Sequence, residues 1–426
     1  MEHENCSETV AKCESPTLME RIAMRMVLSH LTAIRHGRLL VALPDGESRS
    51  YGSHGDSHRA VLQVRRYRFF TRVLFGGEIG FGEAFTAGLW DSPDVVGVIN
   101  CFIDNTDALG DAARSANRLS RVAQYLVHRL HANSIFRSRK NISAHYDLGN
   151  GFFSSFLDRS MMYSCAIFRS KKDGLERAQR NKIHAIIDKA GITAGDHVLE
   201  IGCGWGGFAI EAARTTGCRV TCITISGEQL AMARERIAAA GLSDRVRVEF
   251  CDYRAVRGSF DKIVSIEMLE AVGHRYLGDF FAALERCLAP SGIAVVQVIT
   301  TPDHHYRAYC RRADWIQKYV FPGGHLPSLG ALVNAMLKRS TLFVEHVENI
   351  GPHYATTLRA WRERFDAVAE RLEQTGYDQM FQRLWRYYLS ICEAGFESRI
   401  VNDLQIVLTR PSNRTVPRYV TSFENG

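Results

Sequence analysis

The clearest hydrophobic pattern lies between residues 180 and 300, where short apolar runs alternate with amphipathic stretches. Strands are predicted at HVLEIGC, RVTCITIS, VRVEFCD, FDKIVSIEML and GIAVVQVIT. Helices are predicted between and before them, at ERAQRNKIHAIIDKAGI, WGGFAIEAARTTG, GEQLAMARERIAAAGL and FFAALERCL. Strands that alternate with helices at this spacing favour an α/β fold around a doubly wound parallel sheet.

The flanking sequence predicts further parts. Residues 1–18 are polar and acidic, so we expect a disordered tail. Residues 19–125 predict a small N-terminal α/β domain, with strand-like runs LLVALPDG, RAVLQVRRYRFF and VVGVINCFI around a glycine-rich loop, GGEIGFGEAF. FRSRKN is typical of a linker. Residues 126–426 hold the sheet, a helical cap over about 303–400 and a late strand at LQIVLTR.

The charge balance favours an anionic partner. The formal net charge is +7 and the pI is about 8.8. One cluster, HRAVLQVRRYRFFTRVLF, interleaves aromatic residues with Arg65, Arg66, Arg68 and Arg72. It could be a stacking groove for nucleic acid, a cationic membrane contact with interfacial aromatics, or an element with one solvated face.

Cysteine usage and hydropathy indicate a cytoplasmic protein. The chain has 11 cysteines, an odd count without a CxxC motif, which reduced thiols explain better than a disulfide framework. No two histidines have metal-ligand spacing, so no metal site is expected. No apolar run reaches the length of about 18 residues that a spanning helix needs. The N-terminus lacks the pattern of a secretory signal.

The stretch VLEIGCGWGGFAIEAA carries the first chemical signal. Its glycines let the backbone approach a ligand at the start of a helix: Gly202, Gly204, Gly206 and Gly207. A dinucleotide site would carry an acid about 20 residues later, but the second strand ends in CITIS, and no GK[ST] follows. The positions of Glu200, before the glycines, and Asp252, after the third strand, suit S-adenosylmethionine.

Several motifs in a fixed order then carry a family resemblance. They are ISAHYDLGNGFFSSFLD, MMYSCAIF, VLEIGCGWGG, TISGEQ, CDYR, SIEMLEAVGH, WIQKYVFPGGHLPS, PHYATTLRAW and YYLSICEAGF. Over roughly residues 130–410 the chain resembles the cyclopropane-fatty-acyl-phospholipid synthases and their mycolic-acid-modifying relatives. The resemblance implies a Rossmann-like class I methyltransferase sheet with S-adenosylmethionine as the cofactor.

The resemblance also implies the cofactor contacts. In MMYSCAIF, Tyr163 and Ser164 should line the site. Further contacts should come from the ends of the first three strands, to the methionine part, the ribose and the adenine in turn: Gly202, Gly204, Gly206, Thr224, Gln229, Asp252 and Tyr253. Ordinary helix capping and surface polarity are the alternative for Thr224 and Gln229.

In the family, a bicarbonate ion near the methyl group acts as the base. By resemblance, its ligands here include Cys165, Glu270, Tyr354 and Cys392. Gln297 stands where many synthases have a histidine that binds the ion. Glutamine can hydrogen-bond bicarbonate but cannot change charge, so ring closure, a methylene branch and a later-reduced methyl branch all stay open. Glu267 is interpreted as a solvated or capping carboxylate, and His145 as a pocket-lining residue.

The expected reaction is methyl transfer to the cis double bond of unsaturated phospholipid acyl chains. The resulting carbocation must be shielded from water and lose a proton, and a cyclopropane is the expected product. A methylene- or methyl-branched product, an amine N-methyltransferase and a non-catalytic lipid-binding protein are the alternatives. We expect reversible, peripheral binding to an anionic membrane surface and no nucleic-acid partner, and a homodimer stays open.

Overall fold

The computed structural model describes residues 15–53, 59–113, 148–311 and 313–417. Residues 1–14, the FRSRKN segment and His145 lie outside these ranges. The end of the predicted disordered tail is ordered, because Thr17 caps a helix that begins at Leu18. The chain divides into two compact units. Unit 1 comprises Met1–Ser120 and Gln379–Tyr387, and unit 2 comprises Arg121–Asp378 and Tyr388–Gly426. None of the described helices is long and apolar enough to cross a bilayer.

Unit 1 contains a four-stranded sheet in the order β2-β1-β3-β4. Its strands are β1 (Arg38–Ala42), β2 (Ser48–Gly52), β3 (Arg59–Val64) and β4 (Trp90–Asp91). β1 pairs antiparallel with β2 and parallel with β3, and β3 pairs antiparallel with β4. The helices that accompany this sheet are α1 (Leu18–Leu31), α2 (Arg68–Thr86), α3 (Val95–Asp104) and α4 (Thr106–Ala113).

Three secondary-structure predictions for this unit are wrong, one of them only in part. VVGVINCFI forms helix α3, because the Asp94 side chain accepts a hydrogen bond of 2.9 Å from Gly97 N and caps the helix. GGEIGFGEAF lies inside α2, with a kink at Gly77, whose φ is +54°. Gly80 permits a close backbone approach there, since a Cβ at this position would lie 2.1 Å from Arg72 O. RAVLQVRRYRFF is a strand only as far as Val64.

The aromatic residues of the arginine-rich cluster do not form a stacking surface. Tyr67, Phe69 and Phe70 are buried in the core of unit 1. The Tyr67 hydroxyl donates a hydrogen bond of 2.7 Å to Asp45 Oδ2. The interpretation of this cluster as a groove that stacks nucleic-acid bases is therefore wrong.

Unit 2 contains a seven-stranded sheet in the order β10-β11-β9-β8-β5-β6-β7. The strands are β5 (His197–Ile201), β6 (Arg219–Thr224), β7 (Val246–Phe250), β8 (Phe260–Ile266), β9 (Leu288–Thr300), β10 (Phe343–Asn349) and β11 (Asn402–Thr409). Strands β5 to β9 are parallel, and β11 runs antiparallel to both β9 and β10. The predicted doubly wound sheet is confirmed. Strand β10 was not predicted, because FVEHVEN is a largely exposed edge strand.

The helices of unit 2 cover the sheet and continue beyond its strand ends. They are α5 (Asn150–Phe156), α6 (Leu175–Ala190), α7 (Gly207–Thr216), α8 (Gly227–Ala239), α9 (Leu277–Cys287), α10 (Asp303–Tyr309), α11 (Trp315–Tyr319), α12 (Leu329–Leu337), α13 (Gly351–Ala367) and α14 (Ala369–Gln374). Helix α15 (Gln379–Glu397) begins in unit 1 and ends in unit 2. Short 3₁₀ turns follow β8 at Leu269–Ala271 and His274–Tyr276.

The sheet buries apolar side chains on both faces. Val198 packs in one core cluster with Phe208 of α7, whereas the next residue, Leu199, packs in the other with Phe280 of α9. This alternation is the one that a strand imposes on neighbouring side chains. The chain runs from β5 outward to β7 and returns to β8 on the other side of β5. Ligands bind at such a switch point, beyond the carboxyl ends of the strands.

Candidate active site

The turn from β5 into α7 has the backbone geometry of a ligand cradle. Gly202, Gly204 and Gly206 have φ angles of +82°, +51° and +80°, which favour glycine. A Cβ at Gly202 would lie 2.8 Å from Met268 Cγ, so a side chain does not fit there. A Cβ at Gly204 would meet no atom within 4 Å. The backbone at Gly204 therefore borders open space at the switch point.

Two buried polar atoms near these strand ends match the chemistry of S-adenosylmethionine. Glu200 Oε2 and the Tyr253 hydroxyl are buried, and neither has a hydrogen-bond partner in the described part of the chain. Burial raises the pKa of Glu200 to about 8, although Lys182 opposes this rise. An acceptor and a hydroxyl without protein partners suit a ligand that carries amino and hydroxyl groups. Glu200 and Tyr253 thus fit this group.

The predicted ribose and adenine contacts follow β6 and β7. Thr224 Oγ1 donates to Gln229 Oε1 over 2.8 Å. Neither Thr224 nor Gln229 caps the helix that follows. Ser226 caps α8, because its Oγ accepts a hydrogen bond of 3.3 Å from Gln229 N. The Asp252 carboxylate accepts hydrogen bonds of 2.8 and 2.7 Å from the Arg254 guanidinium. These side chains are held by local bonds at the edge where a cofactor would lie.

The predicted pair Tyr163 and Ser164 connects the same edge to a buried lysine. The hydroxyls of Tyr163 and Tyr388 are 2.9 Å apart. The Lys182 ammonium donates to Ser164 Oγ over 2.7 Å, and both residues are buried. Burial lowers the pKa of Lys182 to about 8, and neighbouring acids, Glu267 foremost, oppose this shift.

Glu267 lies at the centre of the site. Its Oε1 accepts hydrogen bonds of 2.8 Å from Cys165 N and from Gln297 Nε2. Its Oε2 accepts a hydrogen bond of 2.6 Å from the Tyr354 hydroxyl. Three of the five residues predicted to bind or orient bicarbonate therefore bind this carboxylate. The interpretation of Glu267 as a solvated or capping residue is wrong.

A second buried acid, Asp403 of β11, shares a partner with Glu267. The Gln297 amide also donates to Asp403 Oδ2 over 2.8 Å, and its Oε1 accepts from Gln405 Nε2 over 3.0 Å. Both N–H groups of Gln297 are thus used by carboxylates. Burial raises the pKa of Glu267 and of Asp403, and their mutual repulsion raises that of Asp403 further. The Gln297 amide therefore bridges two acids, both of which have raised pKa values.

The backbone N–H of Cys165, not its thiol, donates the hydrogen bond to Glu267. The thiol Sγ lies 3.3 Å from Ala166 O and 3.6 Å from Ile350 O, and burial raises its pKa. The Cys392 thiol neighbours Tyr388, and burial raises its pKa as well. Cys392 forms no hydrogen bond with Glu267 among the residues described. Neither thiol has the environment of a reactive thiolate.

Glu270 lies on the 3₁₀ turn three residues after Glu267. Its Oε1 accepts a hydrogen bond of 2.5 Å from Ile299 N, whereas its Oε2 is buried without a partner in the described ranges. Burial, followed by repulsion from Glu267, raises the pKa of Glu270 to about 8. Glu270 therefore keeps one oxygen for a substrate, an ion or a proton.

A family model described as mycolic acid cyclopropane synthetase matches residues 133–406. The chain belongs to this family. It is an S-adenosylmethionine-dependent methyltransferase of the cyclopropane synthase family, with the Rossmann-like class I methyltransferase fold described above. The resemblance that the sequence motifs indicated is confirmed.

Two relatives are similar in sequence to most of this chain. It is 41% identical to the tuberculostearic acid methyltransferase UfaA1 of Mycobacterium tuberculosis, over 80% of each chain. It is 35% identical to the cyclopropane-fatty-acyl-phospholipid synthase of Escherichia coli, over 82% of this chain and 88% of that protein. These two relatives are named for different products.

Solved structures give the same family. The cyclopropane synthase MmaA2 of Mycobacterium tuberculosis is 28% identical and covers 64% of this chain and 98% of its own, with a TM-score of 0.60. The mycolic acid cyclopropane synthase CmaA1, solved as a complex with SAH and CTAB, gives the same identity, coverage and TM-score. S-adenosylmethionine is therefore supported as the cofactor.

Three central residues of this cyclopropane synthase-family site were not predicted as site residues: Lys182, Glu267 and Asp403. An acid inside the apolar strand VNDLQIVLT was a usable signal for Asp403. The SIEM motif contained Glu267, but its spacing did not distinguish a central carboxylate from a surface one. Lys182 lies on an amphipathic helix, where lysine is ordinary, so no sequence signal marked it.

A second cluster in unit 2 has ligand types that bind metal ions. One ligand atom each from His274, Cys310 and His325 lies within 4.8 Å of the other two. The Tyr306 hydroxyl lies between the histidines, 2.5 Å from His274 Nδ1 and 2.9 Å from His325 Nε2. His325 N also donates to Glu270 O over 2.8 Å, which ties this cluster to the site. These residues are far apart in the sequence, so no spacing motif indicated them.

Proposed function

We propose that the protein transfers a methyl group from S-adenosylmethionine to the cis double bond of an unsaturated acyl chain in a membrane phospholipid. The family, the lipid-modifying activities in the names of both relatives and the fit of the β5–α7 turn to the cofactor support this reaction. S-adenosylmethionine supplies an electrophilic methyl group when bound. The remaining tasks fall to the protein: it must exclude water, hold the acyl chain and remove a proton.

The observation that carries the proposal is the position of the Glu267 carboxylate. Methyl transfer forms a new C–C bond from the alkene π electrons, as the S–C bond breaks, and leaves a cation on the chain. Glu267 then accepts a proton. If the proton leaves the new methyl group, the electron pair of that C–H bond closes a three-membered ring onto the cationic carbon. If it leaves a carbon bonded to the cationic carbon, the electron pair forms a double bond. A carboxylate with a raised pKa is a suitable base for this step near neutral pH.

The groups around Glu267 position it for this role. Tyr354, Gln297 and Cys165 N fix both carboxylate oxygens, so the base is oriented before substrate arrives. The Gln297 amide also bridges Glu267 to a second acid, Asp403. The bicarbonate ion implied by the resemblance would compete with Glu267 for the same donors. We therefore propose a protein base in its place.

The product depends on the order of two steps. If the transferred methyl group loses its proton at once, a cyclopropane forms; if a hydride first moves along the chain, the same loss gives a methylene branch. The test is mass spectrometry after incubation with CD₃-labelled S-adenosylmethionine and vesicles of mono-unsaturated phospholipid. We expect labelled acyl chains that have lost one deuterium. Catalytic hydrogenation then separates a methylene branch, which takes up hydrogen, from a cyclopropane.

Other outcomes of this experiment would contradict parts of the proposal. Retention of all the methyl deuterium would mean that a chain proton is lost instead. Label in an added soluble amine and none in lipid would support an amine N-methyltransferase. Cofactor binding without any transfer would support a non-catalytic lipid-binding protein.

A further inference from the structure

Helix α1 exposes apolar side chains along one face. The exposed fractions are 75% for Leu18, 63% for Met19, 50% for Ile22 and 42% for Met26. Leu18, Ile22 and Met26 follow one another at four-residue intervals, which places them on one side of the helix. The opposite side is buried in unit 1 through Ala23, Val27, Leu28 and Leu31. Helix α1 is therefore apolar on two faces, and only one of them is packed.

Helix α2 extends this apolar face. Its Phe75 side chain is 60% exposed. Phe75 and Met19 line the same open hollow, together with polar residues of both helices. The exposed residues of α1 and Phe75 thus form one surface, the α1–α2 platform, defined by Leu18, Met19, Ile22, Met26 and Phe75. Isolated exposed apolar residues are ordinary, whereas a contiguous patch indicates an interaction site.

Arginine side chains outnumber acidic ones around the platform, although Glu20 and Glu83 also line the hollow. Arg21 and Arg25 are exposed on α1, and Arg68 and Arg72 are exposed on α2. Arg72 pairs with Glu83 over 2.9 Å, so its charge is partly neutralised. Within the described ranges, neither Arg25 nor Arg68 forms an ion pair. The platform therefore combines exposed aliphatic and aromatic groups with cations that acidic partners do not fully neutralise.

We infer that the α1–α2 platform is the surface by which the protein docks on an anionic lipid bilayer. This inference deepens the proposed function by naming the surface that meets the phospholipid. Apolar side chains that enter the acyl boundary beside arginines at the headgroup level are the pattern of an interfacial helix. A helix of 14 residues is too short to span a bilayer and would lie in its plane. The arginines specify a negatively charged leaflet.

Vesicle flotation with the full chain tests this inference. The variant Leu18→Ser/Ile22→Ser/Phe75→Ser removes three exposed apolar groups of the platform. The matched control, Leu337→Ser/Met380→Ser/Ile400→Ser, removes three that are also exposed but lie elsewhere. On phosphatidylglycerol–phosphatidylcholine vesicles, we expect the platform variant to bind about tenfold more weakly or worse, and the control to bind like wild type. Wild-type binding should also fall on pure phosphatidylcholine and at high salt.

Two further measurements separate the alternatives. Turnover on detergent-dispersed phospholipid should be retained by the platform variant while turnover on vesicles falls, which distinguishes lost docking from a lost active site. If wild type binds through the platform but transfers no methyl group to lipid, the proposed function fails and the docking inference stands. Equal vesicle binding by wild type and the platform variant would overturn the inference. The inference would also be overturned if the platform variant differed from wild type only in its oligomeric state, measured by sedimentation. That result would assign the platform to self-association.

Discussion

Glu267 has a backbone conformation that is unusual for a residue with a side chain, and its carboxylate lies at the centre of the site. Its φ of +49° lies in the left-handed region, which a residue with a side chain adopts at a cost of order 1–3 kcal/mol. Its N–H donates to Gln297 O over 2.8 Å, so the strained backbone is held by the end of β9. The same conformation delivers its carboxylate to Tyr354 and Cys165 N. Strain that persists at a buried polar centre is typical of a functional residue.

Replacing Glu267 by glutamine should remove the base while the shape of the side chain is kept. We expect Glu267→Gln to lower turnover on unsaturated phospholipid by about 10²–10⁴-fold, with cofactor binding nearly unchanged. Glu235→Gln, at an exposed position, is the control and should behave like wild type. Calorimetric titration with the cofactor must accompany the rate measurement. A Glu267→Gln variant with full turnover would exclude Glu267 as the proton acceptor.

Glu200 predicts a pH dependence of stability in the absence of cofactor. Its pKa of about 8 in the folded protein is above the ordinary 4.5, so between these values the folded state holds a proton that the unfolded state has lost. Stability contributed by this group is full below about pH 4.5 and decreases as pH rises towards 8, at up to about 1.4 kcal/mol per pH unit. Because glutamine does not titrate, Glu200→Gln should not show this decrease in stability as pH rises. Denaturant unfolding of both proteins at several pH values should show a flatter profile for the variant.

At the scale of elements, two glycines of the β5–α7 turn have different surroundings, and we expect different effects when each is replaced. A Cβ at Gly207 would lie 2.5 Å from Ser160 O and 2.7 Å from Met162 Sδ, so Gly207→Ala should lower the free energy of unfolding by about 1–3 kcal/mol. Gly204→Ala places its methyl group in open space, and should cost about 1–2 kcal/mol for its positive φ. Calorimetric titration should nevertheless show weaker cofactor binding for Gly204→Ala than for Gly207→Ala. The reverse order would place the cofactor away from Gly204.

The strands of the seven-stranded sheet in unit 2 were predicted more accurately from the sequence than the elements of unit 1. Strands β5, β8 and β9 were predictable because long stretches of each are buried and form apolar runs, whereas the edge strand β7 alternates buried and exposed positions. VVGVINCFI has an equally apolar composition, but it forms a helix that Asp94 caps. Strand β10 is an exposed edge without that pattern. The centre of the site depends on long-range pairs, such as Gln297 with Asp403, that local patterns do not contain.

At the scale of the whole molecule, unit 1 is built from two distant chain segments. Arg383, from the second segment, donates to Phe85 O over 2.7 Å and Trp90 O over 2.8 Å, and pairs with Asp91 over 3.1 Å. Its guanidinium also lies 4.2 Å from the Phe85 ring centroid. The first segment alone therefore lacks contacts that complete the unit.

Removing this contact should destabilise unit 1. We expect Arg383→Ala to lower its free energy of unfolding by about 2 kcal/mol, because buried carbonyl groups lose a charged donor. Arg371→Ala, at an exposed position, should have little effect. Hydrogen exchange in β3 and α2 reports this unit selectively. Unchanged exchange rates there would mean that the second segment contributes little to its stability.

The most direct test of the account is the bicarbonate dependence of phospholipid methylation by wild type and Glu267→Gly. If the Glu267 carboxylate is the base, wild type turns over at the same rate in carbonate-depleted and bicarbonate-supplemented buffer. Glu267→Gly exposes the donors of Cys165 N, Tyr354 and Gln297, and added bicarbonate should partly restore its lost activity. A wild-type enzyme that stops when bicarbonate is removed would contradict the account and return the role of base to the bound ion.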